Sequence, residues 1–411
     1  VTEFFRVITA DEFANLLGRF ARLESERVAL DGSLHRILAE DIIAAEDLPQ
    51  GARSTVDGFA VCAQDTFGAS NSIPAFLNVA APVKMGVLPD FEIRSGQAAQ
   101  IPTGGFLPRG ADAVVMLEYT NPAGPGSIEV IRPVTLRTNV LEKGEDTRRG
   151  DSLLRAGKKL RPQELGFLAA LGITEVTVYR RPRAAVISSG DEVIPMEQKP
   201  ELAQIRDANS LAVSALVRES GAEAVMYGIV PDNERMLRDA FQSALAQADV
   251  VVVSGGSSVG ARDLMVEALS GLPDVEILAH GVSIRPGKPT LLANRQGKAV
   301  IGLPGHPVSA LIVAQVFLAP FLLHLQGCGM QKGPLGFRAR AALSTSIHST
   351  IGLEEYVRVR MKTSAAGVHT ASPVFGKSGM LSTMVKADGI IAIPMNAEGF
   401  SKGELVEVVL Y

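Results

Sequence analysis

VVVVSGGSSVGARD, residues 250–263, is an apolar β-type run that breaks into a glycine-rich turn and then into a helix-like pattern. IGLPGHPVSA, residues 301–310, repeats the arrangement. Strand–turn–helix units of this kind hold phosphates. Backbone N–H groups at the turn and first helical turn lack intrahelical partners, and the helix dipole favours an anion beside them. Glycine admits the ligand where a Cβ would block it. One such turn is weak evidence. Two in one α/β unit, with RPGKP (285–289) between them, point to a substrate carrying several anionic groups.

Working outward, apolar runs at 184–188, 222–230, 248–256 and 298–305 alternate with helical patterns between Arg183 and about Gly327. Leu237, Phe241, Ala244, Leu245 and Ala248 give one of those helices its buried face. The alternation predicts a mostly parallel sheet, with ligands beyond the carboxyl ends of its strands. Before it, residues 27–146 are rich in Gly and Pro, with short alternating runs such as EVIRPV (129–134), and read as an irregular β-rich unit. The chain opens on a helix. Thr9 and Glu12 form a capping box, and Phe13, Leu16, Leu17 and Phe20 form its apolar stripe. A second helix, PQELGFLAAL (162–171), has Pro at its start and Gly172 at its end. The last stretch returns to β, with GELVEVVL (403–410) alternating as a strand with one wet face.

Composition sets bounds. At 411 residues the chain exceeds one ordinary core, and 46% hydrophobic with 20% charged residues suits a globular protein. A net charge of −4, no Trp and 5% aromatics give no footing for nucleic acid or an acidic membrane. The most apolar stretch, Val308 to Leu325, carries Ser309, Gln315, Pro320 and His324 and reads as a buried helix rather than a membrane span. VTEFFRVITADEF lacks the pattern of a signal peptide, and two distant cysteines, Cys62 and Cys328, fit a reducing cytoplasm.

Five carboxylates fall at or near strand ends of the α/β unit: Asp191, Glu192, Asp207, Asp232 and Asp263. Hard oxygen donors beside a phosphate turn are what Mg²⁺ requires. The competing reading is that each is a helix cap or turn former. Arg285 and Lys288 flank Pro286 and Gly287, a turn that aims both cations at one point. The serines lack a His–acid partnership or a nucleophile elbow, and there is no HExxH, CxxC or P-loop Lys. STVDGFA (54–60) and IPTGGFLPRGADAVV (101–115) are turns by composition alone.

These motifs, with GEDTRRGD (144–151), SSGDE (188–192) and IRDAN (205–209), stand in the order found in the MoeA family of molybdopterin molybdenumtransferases, to which the C-terminal domain of gephyrin is similar. The resemblance runs from the capped helix to the last strand. It implies transfer of molybdenum from molybdate to adenylylated molybdopterin, with release of AMP and with Mg²⁺ as the ion. It implies four domains: a helical linker (1–26 and 147–182), the β-rich domain (27–146), a MogA/MoaB-like α/β domain (183–327) and a C-terminal β-barrel-like domain (328–411). It also implies a homodimer with a shared active site, and a MogA/MoaB-type adenylyltransferase as partner.

Residue by residue, the resemblance places functional acids at Asp57, Asp146, Glu192, Asp232 and Asp263 with Thr103 beside them, and metal ligands at Glu192, Asp232 and Asp263. Substrate and phosphate contacts fall on Ser188, Gly190, Asp191, Ser254, Gly255, Gly256, Ser257, Ser258 and Gly305. The molybdate cluster falls on Arg285, Lys288, Pro289, Ser309, Arg358 and Ser378. Three positions depart from the pattern: Arg285 where Lys is usual, His306 where the turn often has Asn, and no Gln before Ser378. Two alternatives of other kinds are a MogA-like adenylyltransferase and a non-catalytic, gephyrin-like scaffold. The acids of STVDGFA and GEDTRRGD argue against the first, and the intact anion motifs favour catalysis over the second.

Overall fold

The computed structural model describes residues 7–255, 259–365 and 367–411, with the side chains of 259–263 excepted. Gly256, Ser257, Ser258 and the Asp263 side chain lie outside this set. The chain forms two compact units. The first takes in the described residues up to Glu40, 156–162 and 175–411. The second comprises 41–155 and 163–174. Residues 27–40 therefore belong with the first unit rather than the β-rich one, because strand Ser25–Ala29 pairs antiparallel with Glu175–Tyr179.

The centre of the first unit is a six-stranded sheet ordered 223–230, 183–189, 250–254, 298–303, 291–295, 275–280. The first four strands are parallel; Leu291–Arg295 pairs antiparallel on both its sides, so Val275–His280 at the edge runs in the same direction as those four. Those two, Val275–His280 and Leu291–Arg295, were not among the runs expected from the alternation. Strand periodicity sends Ala184, Val186, Val250 and Val252 to one core and Ala185, Ile187, Val251 and Val253 to the other. Helices Glu234–Gln247 and Val259–Ser270 cover the second face through Leu237, Phe241, Leu245, Met265 and Leu269.

The first face packs against helix Asn209–Glu219 and the long apolar helix Pro307–Cys328. The latter is long and apolar enough to cross a membrane, yet 83% of its most apolar window is buried inside the protein. Pro320 interrupts its hydrogen-bond ladder, and the preceding turn, Ala314–Leu318, is widened accordingly. The N-terminal helix Ala10–Leu17 carries the capping box: Thr9 N–H donates to Glu12 Oε2 at 2.8 Å, and Glu12 N–H to Thr9 Oγ1 at 3.2 Å. Its stripe docks on the long helix, with Phe13 against Phe317 (centroids 4.7 Å apart) and, one turn beyond the helix end, Phe20 against Phe321 (5.4 Å).

The C-terminal residues form a closed five-stranded barrel, with Glu354–Thr363, His369–Pro373, Arg338–Leu343, Leu405–Leu410 and Gly389–Ile393 in order, the last pairing back to the first. A sixth strand, Ile284–Arg285, joins from the basic turn, pairing parallel with Glu354 and Glu355. The second unit holds another six-stranded sheet, ordered 113–116, 58–61, 97–101, 75–79, 127–130, 120–122 and antiparallel except for one pair. Its core is Phe59, Val61, Leu77, Val115 and Val130 with their neighbours.

Phe317 is fully buried and joins the N-terminal helix to the sheet cover. Phe317→Ala is expected to destabilise the first unit by about 3–5 kcal/mol, read from its denaturant unfolding transition. A loss below about 1 kcal/mol would remove that contact from the account.

Candidate functional site

The carboxyl ends of the parallel strands meet at a cavity of about 470 Å³. Ser188, Glu192, Asp207, Asn209, Ser254, Gly255, Gly305 and His306 line it. Gly255 is required by close approach: a Cβ there would run into the carbonyl oxygen of Ser189 on the adjacent strand. The acids at this mouth have separate duties. Asp207 accepts from Ser188 Oγ at 2.8 Å and from Ser210 N–H at 3.0 Å, and also from Ser210 Oγ. It therefore ties the first strand to the start of helix Asn209–Glu219, and the capping reading is the right one for it. Asp232 accepts from Ser189 Oγ at 2.5 Å, while its own N–H donates to Asp191 Oδ1 at 3.1 Å. Glu192 lies exposed and folds back toward Gly190.

Among the described residues no three His, Cys, Asp or Glu side chains form a group able to hold a metal ion. Glu192 and Asp232 nevertheless supply the right donor chemistry. Mg²⁺ is commonly held by one or two carboxylates, with waters and phosphate oxygens completing its octahedron.

A second cavity, of about 550 Å³, lies between the basic turn, the start of the long helix and the outside of the barrel. Arg285, Lys288, Pro289, Ser309, Arg358 and Ser378 all line it, so the structure brings these six residues together. The barrel strand explains Arg358. Val357 and Val359 point into the barrel core, whereas Tyr356 joins the α/β core, so Arg358 also faces outward. There it is 9% exposed. Its Nη2 donates to Gly376 O at 3.2 Å, but Nε and Nη1 are buried with no hydrogen-bond partner among the described residues. Burial pulls this guanidinium below its ordinary pKa, with Tyr411 acting weakly in the other direction. An arginine nonetheless stays charged near neutral pH.

Ser309 is 5% exposed, and the loop bearing Ser378 is docked by a bond from Val308 N–H to Ser378 O at 3.1 Å. Gly287 has φ +126°, and a Cβ there would lie 2.5 Å from Val313 Cγ2, so only glycine lets the turn seat on the long helix. Lys288 is exposed and has no ion-pair partner among the described residues.

Arg285 departs from the expectation that it shares a target with Lys288. Its Nε donates to Glu355 Oε1 at 2.9 Å and its Nη2 to Glu355 Oε2, a bidentate pair that raises the guanidinium pKa further. Glu355 and the wall residue His348 have no signal in the sequence, whereas His306, singled out there as a departure at the turn, stands at the start of the long helix and also lines the wall. The pairing depends on register between strands 70 residues apart, for which there is no local signal.

In the second unit the structure brings Asp57 and Thr103 together. Thr103 N–H and Oγ1 both donate to Asp57 Oδ1, at 2.8 and 3.0 Å. Asp57 borders a cavity of about 300 Å³ with Gly58, Gln100 and Pro102. Asp146 sits on a different turn, its N–H donating to Leu48 O.

The sequence comparisons agree along the chain. Family models match in succession: the MoeA N-terminal region (domain I and II) at 8–172, a probable molybdopterin binding domain at 185–324, and the MoeA C-terminal region (domain IV) at 340–411. A molybdopterin molybdenumtransferase of Staphylococcus epidermidis is 31% identical over 401 residues, covering 96% of this chain and 93% of the relative. A protein of Methanocaldococcus jannaschii is 36% identical over 386 residues, covering 92% and 90%. The crystal structure of a molybdopterin biosynthesis MoeA protein from Pyrococcus horikoshii OT3 superposes with TM-score 0.85 at 30% identity, covering 99% of this chain and 100% of that one.

The Thr103 bonds, backbone first, hold the Asp57 carboxyl below its ordinary pKa. A depressed carboxylate contributes stability that is present above the unfolded value and lost as pH falls through the folded one. Thr103→Val keeps the N–H bond and removes the hydroxyl. The Asp57 pKa, followed by carboxyl-carbon NMR, is expected to rise part of the way to its ordinary value. An unchanged titration would mean that the hydroxyl bond carries none of the shift.

Proposed function

The chain belongs to the MoeA family, and we propose that it is a molybdopterin molybdenumtransferase that takes molybdate into the cavity beside Arg358. The observation that carries this reading is the buried Arg358 guanidinium, whose Nε and Nη1 lack partners among the described residues, in a cavity it shares with Lys288 and the Ser309 hydroxyl. A tetrahedral oxoanion answers that donor set: guanidinium N–H groups, an ammonium and hydroxyls. Adenylylated molybdopterin then occupies the neighbouring mouth. Its phosphates lie along the strand-end turns at Ser188, Gly190, Asp191, Ser254, Gly255 and Gly305. His306 lines both cavities, so the two substrates meet across one residue's width of wall.

In this reading the chain's residues bind and orient. Lys288, Arg358, Ser309 and Ser378 fix the oxoanion, with Pro289 shaping the wall. The Ser188–Asp207 bond fixes the turn on which phosphate rests. Mg²⁺ would be held by Glu192 and Asp232, with Asp263 assigned as third ligand by the family resemblance, and would supply positive charge to the adenylyl phosphates. Molybdenum passes from molybdate to the dithiolene, and AMP is released. The adenylyltransferase alternative is not favoured, because the MoeA regions at 8–172 and 340–411 have no place in a single-domain enzyme. The enzyme acts in the cytoplasm and takes its substrate from a MogA/MoaB-type adenylyltransferase. It works as a homodimer in which Asp57, Thr103 and Asp146 of one subunit complete the partner's site.

Lys288→Ala is expected to raise the molybdate concentration needed for AMP release about ten- to a hundredfold, the loss of one charge-assisted contact. Unchanged molybdate dependence would remove Lys288 from the site. The shared site is tested by subunit exchange between chains carrying Asp57→Ala and Glu192→Ala, each nearly inactive alone. About a quarter of full activity per total site should return, because half the dimers are mixed and each has one intact site. No recovery after verified exchange would contradict the shared site.

A further inference from the structure

Three cations line the oxoanion cavity, but they are not equivalent. Arg285 is held by both oxygens of Glu355, whose side chain is only 16% exposed. The register sets this up: Arg285 pairs directly with Glu355 where the basic turn adds a strand to the barrel. Lys288 and Arg358 have no carboxylate partner among the described residues. We propose that Arg285 does not ligate the oxoanion but neutralises Glu355, leaving Lys288 and Arg358 as the two charges that match a tetrahedral dianion. This deepens the reading above and rests on that cavity being the molybdate site.

Arg285 is therefore a positioning residue. Its planar fork can take both Glu355 oxygens at once in a bidentate pair, as a lysine cannot. Without Arg285, a mostly buried carboxylate would face the cavity uncompensated and repel an anion through a low-dielectric wall. With both residues neutral, the two free cations and the hydroxyls would be undisturbed. The pair is half-exposed on the arginine side, where ion pairs contribute little to stability, so its removal is compatible with folding.

The test is a double-mutant cycle on the full-length protein, with sodium molybdate titrated calorimetrically. Lys288→Met and Arg358→Met should each raise Kd about tenfold or more. Arg285→Gln should also raise it about tenfold or more. Adding Glu355→Gln should bring Kd back to within about threefold of the parent, a rescue that a merely structural loss would not give. If Arg285→Gln proves unfolded, the apolar pair Arg285→Met/Glu355→Met makes the same comparison. Binding that is lost with Lys288 and Arg358 but not rescued in the double variant would overturn this inference alone. Binding that is indifferent to Lys288 and Arg358 would overturn the cavity assignment and the inference with it.

Discussion

A guanidinium withdrawn from water, with two of its nitrogens unanswered among the described residues, organises the functional half of this protein. Removing a charge from water costs several kcal/mol unless it is paired, and among the described residues Arg358 finds one carbonyl, that of Gly376. The barrel nonetheless fixes it there. Strand alternation forces residue 358 outward when Val357 and Val359 fill the barrel core. The outer face of that strand is closed off by the basic turn and the loop bearing Ser378. On the proposed reading, an oxoanion supplies the partners that this buried group lacks.

The surrounding contacts keep the basic turn in place. The backbone of Ile8 brackets the approach to the turn through bonds with Gly281 and Ser283, and Thr290 Oγ1 donates to Gly287 O at 2.6 Å. Lys332 bridges Asp11 on the N-terminal helix to Glu354 on the barrel strand, at 2.9 Å to each, and the Tyr356 hydroxyl donates to the same Glu354. The neighbouring Glu355 holds Arg285. Helix, barrel and turn are thus joined through two consecutive glutamates. The same strand supplies Arg358, so the cavity's charges come from elements tied to one another by these contacts.

Much of this was legible in the sequence, for local reasons. The Thr9–Glu12 box, the Phe13–Phe20 stripe and the strand Val250–Ser254 that leads into the glycine turn are written in contiguous residues, and each forms as read. The short runs VEILAH and LLANR carry weaker signals: LLANR runs against the parallel strands with no helix before it, and VEILAH is a mixed polar and apolar run at the sheet edge. The acids were harder. Asp207 looks like any mouth carboxylate, and only its bonds to Ser188 and Ser210 reveal a structural duty. Arg285 and Lys288 looked equivalent. What separates them is Glu355, a barrel residue brought alongside by tertiary pairing.

The most direct test of the central claim is a crystal soaked in molybdate, with anomalous data collected on either side of the molybdenum absorption edge. The account predicts a molybdenum peak within hydrogen-bonding reach of Arg358 Nε or Nη1 and of Lys288 Nζ, in the cavity beneath the basic turn. A fully occupied peak elsewhere, with that cavity empty, would contradict it.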